Sequence, residues 1–179
     1  MSRVRSKDTN PERAVRNLLW RKGYRYRLYD KRLPGSPDLV LPKYRAVIFI
    51  NGCFWHGHRG CVKYVIPKTN EQFWREKVAR NIARDELNAQ RLETLAWTVI
   101  TVWECELSKK NIDATITRIE ADLKAAKIRY EHYLSIRREN REFARLQAKK
   151  HREILALVES EMNIPKSFRS YAKKVVDEE

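Results

Sequence analysis

Four sulfur and imidazole groups of this 179-residue sequence could together bind one metal ion: the candidate ligands are Cys53, His58, Cys61 and Cys105. Three thiolates and one imidazole are a common ligand set for tetrahedral Zn²⁺, and ligands as close in sequence as the first three must come from a bent loop. Four protein ligands leave no open coordination position, so the predicted zinc is structural. Two alternatives stay open: three core cysteines with a surface histidine, or His56 as the ligand in place of His58.

A second group of residues could hydrolyse a phosphodiester. Asp38 directly follows Pro37, a pattern similar to the Pro-Asp of many metal-dependent nucleases. Such enzymes usually carry Glu-x-Lys on the next strand, but residues 49–51 here are Phe-Ile-Asn. His56 is the candidate that replaces the missing base, because an imidazole can titrate near neutral pH or hydrogen-bond a metal-bound water. If the missing Glu-x-Lys is decisive, the alternative is a non-catalytic DNA-binding module.

Aromatic side chains accompany the candidate ligands. Phe54 and Trp55 lie between Cys53 and His56, and Trp74 follows in a predicted helix. Aromatic groups within a basic surface can wedge between bases and unstack them. Core packing is the alternative, above all for Trp74.

The charge of the chain predicts a polyanionic partner. The formal net charge is +15, and residues 1–33 carry eleven Lys and Arg against three acids. The sequence contains no apolar run of 18 residues, no signal-peptide core and no lipid-anchoring motif, which favours nucleic acid over a membrane. We therefore expect Arg3, Arg5 and Lys7 to contact the DNA backbone. Three cysteines without a secretory signal indicate a reducing compartment, so we expect a cytoplasmic protein.

The elements that must position these groups are those of an α/β fold. Two short strands, at 38–41 and 46–50, would place Asp38 and Ile50 side by side if they pair antiparallel. The apolar run 97–103 predicts another strand. Cys105 follows the end of this strand, as Cys53 follows the end of the strand at 46–50. Helices are predicted from about residue 10 to 22 and from 71 to 95, and residues 24–29 form a strand or extended segment.

The remaining elements concern the two ends of the chain. Glu12 begins the first helix, where an acid complements the helix dipole. From residue 111 on the pattern is helical, and the stretch from about 128 is highly charged. It could be a projecting hairpin, a coiled-coil surface for a protein partner, or a helix lying on the core. We therefore expect a core at 1–110, a helical extension at 111–179, and a monomer.

Taken together, these residues resemble the very short patch repair (Vsr) mismatch endonucleases over about residues 1–107. Each motif alone is weak, but the set in this order is highly specific. The matching segments are 1–12, Leu-Pro-Gly-Ser-Pro-Asp at 33–38, Gly-Cys-Phe-Trp-His at 52–56, Pro-Lys-Thr-Asn at 67–70, Phe-Trp-Arg-Glu-Lys at 73–77, Asn81, Arg84-Asp85, and Val-Trp-Glu-Cys at 102–105.

The resemblance implies a restriction-endonuclease-like mixed sheet flanked by helices, a structural zinc, and Mg²⁺-dependent nicking of DNA beside the thymine of a T:G mismatch. It implies that Asp38 and the backbone carbonyl of Ile50 bind the Mg²⁺. It also implies that His56 acts as a general base or holds a hydrated metal, and that Glu12 supports a water or phosphate. The remaining implied residues are the zinc ligands Cys53, His58, Cys61 and Cys105 and the intercalating aromatics Phe54, Trp55 and Trp74.

The sequence departs from the family pattern at two adjacent positions and in one spacing. Ile50 stands where the pattern has Thr, and Asn51 stands where it has a second His, so a mechanism with two histidines is not expected. One additional residue lies between His58 and Cys61. A related nuclease of phage defence or of a mobile element, acting on another lesion or sequence, is a further alternative.

Overall fold

The computed structural model describes residues 7–161, so the predicted DNA contacts at Arg3 and Arg5 lie outside the described residues. Three helices and three strands make up this part of the chain. In chain order they are α1 (Asn10–Arg21), β1 (Leu39–Leu41), β2 (Ala46–Asn51), α2 (Glu71–Thr94), β3 (Thr98–Trp103) and α3 (Ile112–Glu161). Short 3-10 turns follow β1 and β3.

The strands form one mixed sheet in the order β1-β2-β3. β1 runs antiparallel to β2, with Leu39 opposite Ile48, and β3 runs parallel to β2, with Asn51 opposite Trp103. The beginning of β1 therefore lies at the same edge as the ends of β2 and β3. The α/β fold with a mixed sheet, flanking helices and a C-terminal helical extension is confirmed.

The core lies between the sheet and parts of two helices. α1 contributes Val15 and Leu19, which one helical turn separates on its buried face. The beginning of α3 contributes a second buried stripe to the same cluster. Its members are Ile116, Ile119, Leu123 and Ala126. The core cluster therefore includes residues beyond 110. The predicted boundary between a core at 1–110 and an extension at 111–179 stays a prediction.

Two segments differ in detail from the sequence expectation. Residues 24–29 form no strand, only an isolated bridge between Arg27 and Val40. The backbone of Tyr29 has a φ of 48°, which ends the extended run. The apolar run of β3 is buried only at Ile100 and Val102, whereas β1, the other outer strand of the described sheet, is buried along its whole length.

The chain divides into two compact units, Met1–Glu131 and His132–Glu179. The described part of the second unit is helical, and residues 112–161 form one continuous helix, so the hairpin, one of the three alternatives, does not apply within this range. Several apolar side chains of this unit are exposed, namely Ile136, Phe143, Leu146, Ile154, Leu157 and Val158. A protein partner for this helix stays a prediction. Among residues 7–161, no helix has the length and apolarity that crossing a membrane requires.

Candidate active site and metal centre

Asp38 and Ile50 lie together at the edge where β1 begins and β2 ends. The Ile50 N–H donates a hydrogen bond of 2.8 Å to Asp38 Oδ2, as expected from the antiparallel pairing. Both residues line a cleft of about 930 Å³ that Glu12 and His56 also line. The pKa of Asp38 is raised to about 6, mainly by burial; the Ile50 N–H opposes this shift, and the negative charge of Glu12 contributes to it. A cation bound in the cleft would favour the ionised carboxylate.

His56 is held by a carboxylate that the sequence analysis did not assign. Its Nδ1 lies 2.5 Å from Oδ2 of Asp85, which is on α2 and also lines the cleft. Burial opposes ionisation of Asp85, but hydrogen bonds from His56 and Arg84 outweigh it and lower the pKa of this carboxyl. An ionised Asp85 places a proton on Nδ1 of His56, which leaves Nε2 as a proton acceptor. A His-Asp pair of this kind can perform general base catalysis.

Glu12 combines a structural position with a place in the cleft. Thr9 is the N-cap of α1, and its side chain and that of Glu12 form a capping box. Glu12 is buried, with 5% of its side chain exposed, and its Oε2 lies 2.6 Å from Nη2 of Arg16. The helix-start interpretation is therefore correct, and the same carboxylate also lines the cleft.

The three cysteines and one histidine meet beside this edge of the sheet. The candidate ligand atoms of Cys53, His58, Cys61 and Cys105 all lie within 4.8 Å of one another. In a tetrahedral site with Zn–S bonds of about 2.3 Å, neighbouring sulfurs lie about 3.8 Å apart, so a small contraction would accommodate the ion. His58 Nδ1 lies 3.4 Å from Cys105 Sγ, and its ring stacks on Trp103 at 4.1 Å. The donor set fits a soft, tetrahedral metal ion.

The charge state of these thiols depends on such an ion. Burial raises the pKa of the Cys53 thiol to about 12, whereas the N–H of Lys63 lowers the pKa of Cys61. A bound metal cation reverses the effect of burial, because coordination deprotonates a thiol.

The two histidines of the loop face different groups. His56 contacts Asp85, and His58 contacts Cys105. Of the two histidines, His58 is therefore the one that shares the cysteine cluster. Gly57 lies between them with a φ of +65°, and its Cα is so close to α2 that a Cβ would meet Ile82 Cδ1 at 2.6 Å. Only glycine fits this turn without displacement.

The aromatic side chains form a cluster of their own. The rings of Phe54, Trp55 and Trp74 contact one another edge to face, with centroids 5.2 to 5.9 Å apart. Lys77 Nζ lies 5.3 Å from the Trp55 ring and 5.4 Å from the Trp74 ring. Asn81 Nδ2 donates a hydrogen bond of 2.9 Å to the Trp55 carbonyl. The three rings are half-buried and lie outside the core clusters of the described chain, so core packing does not account for Trp74.

Comparison with known proteins decides the family. A family model described as "DNA mismatch endonuclease Vsr" matches residues 1–63. The type II nicking enzyme V.NmeAIP of Neisseria meningitidis serogroup A is 52% identical over 112 residues, which cover 63% of this chain and 79% of that protein. The DNA mismatch endonuclease Vsr of Escherichia coli K12 is 41% identical over 123 residues, which cover 67% of this chain and 78% of that protein. The chain belongs to the Vsr family. It is a DNA endonuclease, and its substrate is DNA.

A third relative is also named as a type II nicking enzyme. The type II nicking enzyme V.XorIIP of Xanthomonas oryzae is 51% identical over 108 residues, which cover 60% of this chain and 79% of that protein. In this Vsr-family chain the predicted site residues Asp38, Ile50, His56 and Glu12 line one cleft at the edge of the sheet, which is the candidate endonuclease centre.

Sequence reasoning missed three side chains around the centre of this Vsr-family enzyme. Asp85 belongs to the Arg84-Asp85 pair that carries the resemblance, and its position on a basic helix was the available signal. Arg16 and Tyr29 contact Glu12 but looked like members of a basic, solvated face. Lys7, in contrast, was predicted to contact DNA, and it lines the cleft.

Proposed function

We propose that this Vsr-family enzyme nicks one strand of duplex DNA beside a T:G mismatch in a Mg²⁺-dependent reaction. The observation that carries the proposal is the cleft in which Asp38, Ile50 and a His56–Asp85 pair come together. The names of the relatives support it, since one is a mismatch endonuclease and others are nicking enzymes.

In the proposed reaction, Asp38 and the carbonyl of Ile50 hold Mg²⁺, which prefers one or two carboxylates and retains several waters. When bound, Mg²⁺ polarises the scissile phosphate and lowers the pKa of a coordinated water. His56 accepts the proton of the attacking water at Nε2, and Asp85 stabilises the imidazolium that results. Glu12 supports the site from the wall of the cleft by its fixed charge.

A structural zinc is the second part of the proposal. Cys53, His58, Cys61 and Cys105 have the donor types and the spacing for it. By fixing the loop 53–61, this ion would fix the aromatic residues and His56 within the same loop. Its contribution is therefore geometric, and it takes no part in the proton transfers.

DNA recognition is assigned to the aromatic cluster and to the basic N-terminal segment. We assign Phe54, Trp55 and Trp74 to intercalation beside the mismatch, because they form a half-buried group next to the cleft. Arg3, Arg5 and Lys7 would contact the phosphate backbone, which makes the affinity for DNA strongly dependent on salt. The enzyme is expected to act as a monomer in the bacterial cytoplasm, with a core at 1–110 and with residues 111–179 available for a protein partner.

A nicking assay tests the activity. Duplexes that differ only in one T:G or matched pair are incubated with the enzyme in Mg²⁺, in Ca²⁺ and without divalent ions, omitting chelators that would also remove zinc. We expect one nick beside the T:G pair in Mg²⁺ alone, and none with Asp38→Ala.

The controls separate the alternatives. Nicking that survives Asp38→Ala at the wild-type rate would contradict the assignment of the centre. Binding without cleavage by the wild-type protein would favour a DNA-binding module. Equal cleavage of the matched duplex at a fixed site would favour a site-specific nuclease of phage defence or of a mobile element.

A further inference from the structure

The Glu12 carboxylate is occupied by hydrogen-bond donors from several parts of the chain. Its Oε1 accepts hydrogen bonds from the Thr9 hydroxyl at 2.8 Å and from the Thr9 N–H at 3.4 Å. Its Oε2 accepts hydrogen bonds from Arg16 Nη2 at 2.6 Å, from the Asp8 N–H at 3.1 Å and from the Tyr29 hydroxyl. A carboxylate offers about four lone-pair positions. Glu12 therefore has little capacity left to bind a metal ion, and it acts on the cleft through its position and charge.

Arg16 is the cation of this arrangement, and it lies behind the surface of the cleft. Its side chain is largely buried, and Arg16 is not among the residues that line the cleft. One arm of its guanidinium contacts Asp8 Oδ1 at 2.5 Å, and the other contacts Glu12 and, at 2.5 Å, the Tyr29 hydroxyl. The planar fork of an arginine can bond these groups at once, which a lysine ammonium on a flexible stem cannot do with the same geometry.

The groups that Arg16 joins come from two separate segments of the chain. Asp8 and Glu12 belong to the entry and first turn of α1, whereas Tyr29 follows the extended segment that bridges to β1. Glu12 and Tyr29 line the cleft, and so does Lys7, whose Nζ lies 5.0 Å from the Tyr29 ring. We call Lys7, Glu12 and Tyr29 the N-terminal wall. Arg16 is therefore a buried cation that contacts both segments.

We propose that Arg16 is a positioning residue for the endonuclease reaction: its buried guanidinium joins Asp8, Glu12 and Tyr29 and so fixes the N-terminal wall beside Asp38. The proposal deepens the proposed function, because it rests on the assignment of this cleft as the cleavage site. Arg16 contacts neither the DNA nor the metal ion in this scheme. Substitution of Arg16 should therefore lower the nicking rate of the enzyme–DNA complex more than it weakens DNA binding.

The test compares single-turnover nicking with DNA binding in Arg16→Lys and Arg16→Met. A displacement of about 1 Å can lower a rate by about 100-fold, so we expect a fall of this order in both variants. The Kd for the duplex without Mg²⁺ should change by less than about tenfold, because a displaced wall weakens at most the phosphate contact of Lys7 and leaves those of Arg3 and Arg5. Added guanidinium should restore part of the rate to Arg16→Ala. Tyr29→Phe, which keeps the ring and removes only the hydroxyl, tests the same network if the Arg16 variants do not fold.

Glu120→Gln is the matched control. Glu120 accepts hydrogen bonds from a cation, Lys22 at 2.8 Å, and from a phenol, Tyr24 at 3.3 Å, but it does not line the cleft. The Glu120→Gln enzyme should nick DNA at the wild-type rate. Wild-type rates in Arg16→Lys and Tyr29→Phe would overturn the positioning role, as would a loss of DNA affinity equal to the loss of rate. Because Asp38→Ala tests the cleft itself, nicking that survives this change marks a failure of the proposed function instead.

Discussion

The ionised carboxylate of Asp38, the proposed metal ligand, is expected to lower the free energy of unfolding of the enzyme. The pKa of this carboxyl is raised from 3.8 to about 6, mainly by burial. Above pH 6 the folded, Mg²⁺-free protein must keep an ionised carboxylate in a site that disfavours it. At about 1.4 kcal/mol for each pKa unit, the cost is at most about 3 kcal/mol. Asp38→Asn removes the charge, and the amide oxygen can still accept the hydrogen bond of the Ile50 N–H. We therefore expect this variant to lose nicking activity and to gain about 1 to 3 kcal/mol in its free energy of unfolding at pH 7.5.

The pH dependence has a definite sign. Below about pH 4 the carboxyl is protonated in the folded and the unfolded protein, so its ionisation contributes no difference between wild type and variant. Between about pH 4 and 6 the folded state binds the proton more tightly, and the wild type loses stability relative to the variant as the pH rises. The difference then stays constant above pH 6.

Urea unfolding at a series of pH values, without added divalent ions or chelators, measures this difference. Asp30→Asn is the control with the opposite sign, because hydrogen bonds from Arg32 lower the pKa of Asp30 to about 2 and its ionised form is favoured in the folded state. Asp30→Asn should reduce stability at pH 7.5. An Asp38→Asn variant that is no more stable than wild type at pH 7.5, or whose advantage persists unchanged at pH 4, would refute the reasoning.

Three further variants probe the rest of the centre. Cys105→Ser should lose bound zinc and unfold at a lower temperature, and an unchanged zinc content measured by atomic absorption would exclude Cys105 as a ligand. Asp85→Asn should lower the single-turnover nicking rate by about 10-fold to 100-fold through the loss of the His56 partner, with an unchanged Kd for DNA, and a wild-type rate would argue against His56 as the base. Trp74→Ala should weaken binding of the T:G duplex by about 1 to 3 kcal/mol in a titration followed by fluorescence anisotropy, and an equal loss for single-stranded DNA would point to general stacking instead of intercalation at the mismatch.

The parts of the centre that the sequence predicts are those set by the pairing of strands. The connection between the strands at 38–41 and 46–50 is too short for any pairing but an antiparallel one, and this pairing places Asp38 beside Ile50. Likewise, the parallel pairing of β2 and β3 brings the residues after Asn51 and Trp103 to one edge. The approach of Cys53 and Cys105 follows from the ends of these two strands.

The parts that could not be predicted depend on contacts between side chains of distant elements. Asp85 is 29 residues from His56 in sequence and meets it only because α2 passes beside the loop. The N-terminal residues looked like one basic surface, but Arg16 is buried while its neighbour Arg13 is exposed. The periodicity of α1 did not separate them, because the carboxylates and the phenol that accompany Arg16 are recognisable only in the folded protein.

The different surroundings of His56 and His58 show how one glycine can separate two imidazoles of the same loop. With one residue between them, the two imidazoles of an extended segment would point to the same side of the backbone. Gly57 changes this, since its positive φ turns the chain and brings its Cα against Val78 and Ile82 of α2. The helix that requires glycine at position 57 is α2, and α2 also carries Asp85, the hydrogen-bond partner of His56. The same turn leaves His58 stacked on Trp103, next to Cys105. The loop can therefore serve the metal cluster and the cleft at once, because its turn lies against the helix that supplies the partner of His56.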